Sequence, residues 1–298
     1  MLNTKPLRLQ DGWPVANLNE ANLDAQSMSG LTRWIGENYE YHKTHAVLIA
    51  HAGHLVYEVY LEGQDSRWNE PLGHRNFNVD SLHDLQSVSK SVTSLLLGLA
   101  LRGGYERALV TPVTEFFKDQ GIAFGEGVEK VTLQHVLTMT AGFEWDVETF
   151  PYEDPRNDNH KLFESEHDPV AFVLGLRVKD KPGTVWNYNN GLTEVLAAII
   201  EQKTGKRLDE YAAEALFEPL GITSFEWVGI SNWMPNDRPT AAGGLRMRAR
   251  DLAKIGSLVL HNGVWNGKQI VSPEWIRLSS RRHVAEVDRG MRGDYGYG

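Results

Sequence analysis

The stretch Asp84–Gly104, DLQSVSKSVTSLLLGLALRGG, constrains the fold most tightly. Leu95, Leu96, Leu97, Leu99 and Leu101 make it an apolar helix that has to be buried, and Gly103-Gly104 ends it. Ser87 and Lys90 stand at its amino-terminal end, where backbone N–H groups without intrahelical partners favour negative charge. A spacing of three puts both side chains on one face, on adjacent turns. A hydroxyl beside an amine at a buried helix tip is one way to activate a serine nucleophile without histidine. Ser-x-x-Lys alone recurs by chance in chains of this length. The ordinary reading puts Ser87 near a cap and leaves Lys90 exposed on the first turn.

At 298 residues the chain has room for one large core or two modest ones. Its net charge of −9, with no basic run, argues against a nucleic-acid partner. Zero cysteines exclude disulfides, cysteine nucleophiles and thiolate metal sites together. The first residues lack the apolar core of a signal peptide, and no apolar run reaches the about 18 residues of a membrane span. The expectation is a soluble, cytoplasmic protein with no membrane partner, or a periplasmic one if the true amino terminus lies upstream.

In chain order, HAVLIAH and LVYEVYL around Ala52-Gly53 read as a β-hairpin. His51 and His54 flank its turn, but a hairpin offers no third ligand there, so ordinary surface histidines and no metal are expected. Residues 62–83 read as a charged loop. Thr132 suits the cap of a helix over LQHVLTM. From Phe143 to Asp168 the periodic signal stops, and a loop of this length reads as a lid or binding loop. Trp145 and Tyr152, on this loop, are candidate substrate-binding residues. His160 and His167 lie there among acids, a pattern that fits a solvated loop better than a cation site. After Asn190 the spacing of Leu192, Val195, Leu196, Ile199 and Ile200 predicts a helix, which leaves Tyr188 and Asn190 on the turn entering it. The fold class is α+β: a sheet domain over 1–83 and 241–298, with a helical domain over 84–240 inserted.

Tyr-x-Asn at 188–190 gives the Ser87–Lys90 pair chemical company. Tyrosine and lysine both have ordinary pKa values near 10, so neither is a good base alone at neutral pH. Placed together and partly desolvated, each perturbs the other, and a shared proton leaves a phenolate or a neutral amine able to deprotonate a serine. The Asn190 amide can hold the lysine and donate to a substrate carbonyl.

QSVSKS, NYNN and the intervening VTLQHVLTMTAGF together resemble the serine β-lactamase and penicillin-binding-protein superfamily. The similarity is greatest to its class C β-lactamase-like branch, with its esterases and 6-aminohexanoate-dimer hydrolases. DGWPV, HAGHLVYEVY, LFEPLGI and GVWNGKQIVSPEW resemble the same branch, so the likeness covers nearly the whole chain. It implies an antiparallel sheet flanked by helices, with an all-helical domain inserted. It implies a Ser87 nucleophile served by Lys90 and Tyr188, with Asn190 as the second-motif asparagine and no cofactor. The substrate would be a small ester or amide, short-chain esters before small amides or linear oligoamides, and β-lactams last.

The family's third motif lies on a strand near the carboxyl terminus and supplies one oxyanion donor. Lys203-Thr204-Gly205 matches it in letters but falls at the end of a predicted helix, with Gly205 placed to cap it. The third motif is therefore expected to be absent from this chain, together with the family's last strands. The competing expectation is a truncated or degenerate relative that binds a ligand or partner without turnover.

Overall fold

The computed structural model describes residues 5–38, 43–68, 70–164, 168–229, 238–288 and 292–297. The chain divides into two compact units. One comprises Met1–Asp84, Phe217–Glu226 and Arg246–Ile270, the other Leu85–Leu216, Trp227–Leu245 and Val271–Gly298.

In the first unit, helix α1 (Ala25–Glu37) is capped by Asp24, whose carboxylate accepts from the N–H groups of Gln26 and Ser27. Strands β1 (Ala46–His51) and β2 (His54–Tyr60) pair antiparallel across Ala52-Gly53. Both turn residues have positive φ, 47° and 79°, as a two-residue hairpin turn requires. Residues 62–83 correct the loop expectation: they form an antiparallel ribbon, β3 (Glu62–Arg67) with β4 (Glu70–Asn76), and then the short β5 (Leu82–Asp84). β4 is almost wholly exposed and so carries no apolar alternation to read.

β5 pairs antiparallel with β7 (Leu245–Arg248), in a sheet of order β5–β7–β6 with β6 at Phe225–Trp227. Arg246 is buried at this sheet, with Asp84 at 2.6 Å and Glu226 at 3.0 Å. Next along the chain, α10 (Ala249–Leu260) carries Arg250. Its guanidinium donates to both carboxylate oxygens of Glu58 at 2.7 and 2.6 Å, to Asp11 at 2.9 Å and to the Leu7 carbonyl at 2.7 Å. That fork fastens the amino-terminal segment to the hairpin.

His45, Phe77 and His83 form a ring cluster in this unit, with His45 and Phe77 stacked at 3.9 Å and His83 5.0 Å from Phe77. Burial lowers both histidine pKa values, and Asp65 only partly opposes it. Each histidine therefore binds a proton more readily in the unfolded chain, and stability falls as pH drops below about 6.5. A lower urea midpoint at pH 5.5 than at 7.5 is expected, with a shallower difference in His83→Leu. Equal pH dependence in both proteins would exclude His83 as a source.

In the second unit, α2 (Val88–Leu101) is the predicted apolar helix, with Leu95, Leu96, Leu97 and Val92 buried. Arg102, left-handed at φ 52°, ends it just before Gly103. After α3 (Tyr105–Val110) and α4 (Val113–Phe117) comes α5 (Leu133–Leu137), opened by the predicted Thr132 in a capping box with His135. α7 (Pro169–Leu174) precedes α8 (Asn190–Thr204), which packs on α2, α5 and α7 and is followed by the short α9 (Leu208–Ala212). The stretch from Phe143 to Asp168 is not all loop, because α6 (Asp158–Glu164) lies within it. Buried Asn157 braces the segment before α6 by donating to the carbonyls of Phe150 and Val147.

The back of α2 is closed by Trp275, on α11 (Pro273–Ser280), whose indole N–H donates to the Ser94 carbonyl at 3.0 Å. Tyr105 and Tyr297 pack on the same ring at 5.1 and 5.6 Å. A Cβ on Gly98 would collide with this fully buried indole. Gly98→Ala is therefore expected to cost about 1–3 kcal/mol in denaturant unfolding, although alanine is the better helix former. A more stable Gly98→Ala would show that the indole yields.

None of the described helices is long and apolar enough to cross a membrane.

Candidate active site

Ser87 is the N-cap of α2, but its hydroxyl does not cap the helix. The preceding Gln86 is held at φ 46°, a conformation uncommon for a side chain of its kind. The N–H groups of Val88, Ser89 and Lys90 are taken up by the carbonyls of Leu85, Gln86 and Ser87 at 3.0–3.1 Å. The Ser87 N–H has no acceptor among the described residues, so it is the free donor of the helix tip.

Lys90 is 1% exposed, against the ordinary reading of a first-turn lysine. Its ammonium donates to the Ser87 hydroxyl at 3.2 Å and to the Ala242 carbonyl at 2.5 Å, and it lies 4.9 Å from the centre of the Tyr188 ring. The Tyr188 and Ser87 hydroxyls are 2.5 Å apart. Ser87 is exposed and Tyr188 half-buried, so the hydroxyl is reachable from solvent and the amine beneath it is not.

The turn carrying Tyr188 is pinned on both sides. The Asn187 N–H donates to the Met139 carbonyl at 2.9 Å and its amide to the Trp145 carbonyl at 2.8 Å. Asn189 caps α8 by accepting from the Leu192 N–H at 3.2 Å. This is the turn entering a helix that the apolar spacing predicts.

The structure thus brings Ser87, Lys90 and Tyr188 into one cluster. Asn190 lies alongside, but its amide nitrogen donates to the Asn159 side chain at 2.5 Å, and its buried oxygen accepts nothing among the described residues. That oxygen does not hold Lys90. Trp145 is 6% exposed and packs edge-on to Phe172 at 6.4 Å; its backbone meets the cluster's second segment, but its ring is in the core. Tyr152 is 45% exposed, with no hydrogen bond or ring contact to the cluster among the described residues. Lys203-Thr204-Gly205 is a helix end, as expected, with Gly205 left-handed at φ 69°.

No three His, Asp or Glu among the described residues converge as metal ligands. His51 and His54 pair across the hairpin turn, and His160 lies on α6, while His167 falls outside the described residues.

Two groups that the sequence does not single out lie beside the cluster: the Ala242 carbonyl, which accepts from Lys90, and Glu194, which accepts from the Ala242 N–H. Glu194 is buried on α8 and accepts from Thr240 and from the N–H groups of Ala241 and Ala242. The signal for the first is the run of small residues in Thr240-Ala241-Ala242-Gly243-Gly244, which lets backbone approach closely. The signal for the second is a lone carboxylate within an apolar helix face.

The beta-lactamase family profile matches residues 11–298. The chain belongs to the beta-lactamase family. It is 26% identical over 261 residues to the 6-aminohexanoate-dimer hydrolase of Paenarthrobacter ureafaciens, covering 83% of this chain and 60% of that protein. It is 29% identical over 182 residues to the esterase EstB of Burkholderia gladioli, covering 59% and 44% of the two chains. The match thus spans at most about 60% of the length of these two relatives. Among solved structures, EstCE1, a hydrolase with promiscuous acyltransferase activity, superposes with a TM-score of 0.68 at 16% identity, over 91% of this chain and 82% of that one. At that identity the likeness speaks for the fold alone. Membership of the serine β-lactamase and penicillin-binding-protein superfamily, expected from the motifs, and the α+β fold, expected from the order of elements along the chain, hold.

Proposed function

We propose that the chain is a serine hydrolase of carboxylic esters or amides, working through an acyl-enzyme on Ser87. One observation carries the reading: an exposed serine hydroxyl lies 2.5 Å from a tyrosine hydroxyl and 3.2 Å from a buried lysine amine. The Ser87 oxygen attacks the substrate carbonyl carbon while its proton passes to the Tyr188–Lys90 pair. The Ser87 N–H is one donor to the developing oxyanion. The carbonyl's bond to the leaving oxygen or nitrogen then breaks, and the pair returns the proton to the departing alcohol or amine. Water attacks the acyl-enzyme, gives its proton to the same pair, and the proton goes back to Ser87 as the acid leaves.

The names of the relatives, an esterase and a hydrolase of 6-aminohexanoate dimers, support ester and linear-amide substrates. Short-chain esters are the first choice. A fluorophosphonate probe followed by peptide mass spectrometry tests the reading: covalent label on Ser87 and turnover of p-nitrophenyl acetate are expected. A folded chain left unlabelled at Ser87 would return it to the class of binding proteins without turnover.

A further inference from the structure

Glu194 lies in the first half of α8, 3% exposed, within an otherwise apolar stretch. Its Oε1 accepts from the Thr240 hydroxyl at 2.7 Å and the Ala242 N–H at 3.1 Å, and its Oε2 accepts from the Ala241 N–H at 3.3 Å. All three donors are neutral. Burial pushes the Glu194 carboxyl up, against these hydrogen bonds and the charge of Arg238. Packing alone does not call for a buried carboxylate without a cation in hydrogen-bond contact, since an apolar side chain would cost less there.

The three bonds fix the backbone of 240–242 against the helix that follows Tyr188. Ala242 then turns its own carbonyl to Lys90 Nζ at 2.5 Å. The same segment is tied to α2 on either side of that contact. Thr93 donates to the Ala241 carbonyl at 3.3 Å, and the Leu245 N–H donates to the Ser89 hydroxyl at 3.2 Å. A glutamine at 194 would set its N–H₂ group against a backbone N–H whichever way it is turned, that of Ala242 or that of Ala241, whereas a carboxylate accepts on both oxygens.

We propose that Glu194 is a positioning residue for the reaction of Ser87: by clamping residues 240–242 it sets where the Ala242 carbonyl holds Lys90, and so how Nζ meets the Ser87 hydroxyl. This rests on the serine-hydrolase reading above. Small displacements at a reacting pair cost rate rather than substrate binding.

The test compares wild type with Glu194→Gln, measuring the labelled fraction, the first-order labelling rate at saturating fluorophosphonate, and kcat and KM on p-nitrophenyl acetate. Glu194→Gln is expected to lose about tenfold or more in labelling rate and kcat per labelled site, with KM within about twofold. A merely structural role would lower the melting temperature and the labelled fraction but leave the rate per site unchanged, and that result overturns the proposal. Where Glu194→Gln does not fold, Thr240→Val decides: it removes one of the three donors, and an unchanged rate per site in it overturns the proposal too. Folded wild type unlabelled at Ser87 sinks the hydrolase reading and this inference together. Labelled wild type with an unaffected variant sinks the inference alone.

Discussion

Ser87→Ala is expected to fold like the wild type, to take no fluorophosphonate label, and to lose p-nitrophenyl ester hydrolysis by a factor on the order of 10³ or more. The structural half of this expectation follows from the helix tip. The Ser87 side chain is exposed and makes no capping bond, so its loss leaves α2 intact, with a stability change of about 0.5 kcal/mol or less. The chemical half follows because no other hydroxyl in the cluster sits at the helix tip beside a free backbone N–H. Tyr188 remains in the variant, and a phenolate acting as nucleophile would appear as residual label on that residue. Hydrolysis at the wild-type rate would remove Ser87 from the mechanism.

Lys90→Met tests the buried amine. Methionine is unbranched, of similar length and adaptable, so it fills the slot that lysine leaves. Replacing a buried charge with an apolar side chain is often neutral for stability, and the main loss is one donor to the Ala242 carbonyl, about 1 kcal/mol. The rate has no such compensation. Without the lysine amine next to its hydroxyl, Ser87 keeps only Tyr188 for its proton, and acylation is expected to slow by about 10²–10⁴. If Lys90 and Tyr188 serve one proton between them, the double variant Lys90→Met/Tyr188→Phe costs less than the sum of the single losses. Additive losses, read as labelling rates on the four proteins, would instead make them independent groups.

Much of the second unit could be read from the sequence because its signals are local. Thr132 caps its helix, the helix expected just after Asn190 begins one residue earlier at Asn190 itself, and Ser87, Lys90 and Tyr188 lie together in the structure. The ribbon over 62–76 was illegible for a physical reason. Its outer strand faces solvent along nearly its whole length, so it lacks the alternation by which a strand is recognised. The helix at Asp158–Glu164 is too short and polar to set up a period. Trp145 reads as a substrate residue because it sits in an aromatic loop, yet its ring is spent on packing against Phe172. The Ala242 carbonyl has no side-chain signature at all. Only the fold can show that a peptide oxygen holds the lysine.

The closing of α2 by Trp275 also bears on the order in which the protein can be made. Helix α2 leaves the ribosome early, whereas the Trp275 indole that covers its Gly98 face and bonds the Ser94 carbonyl comes 181 residues later. The Ser87–Tyr188 and Lys90–Ala242 contacts span 101 and 152 residues. Long-range closures of this kind slow folding and leave apolar surface open during synthesis. A nascent chain stopped short of α11 therefore carries Ser87 on a helix whose back is bare, prone to aggregate. The hydroxyl is among the first parts of the site to be synthesised and among the last to be held in place.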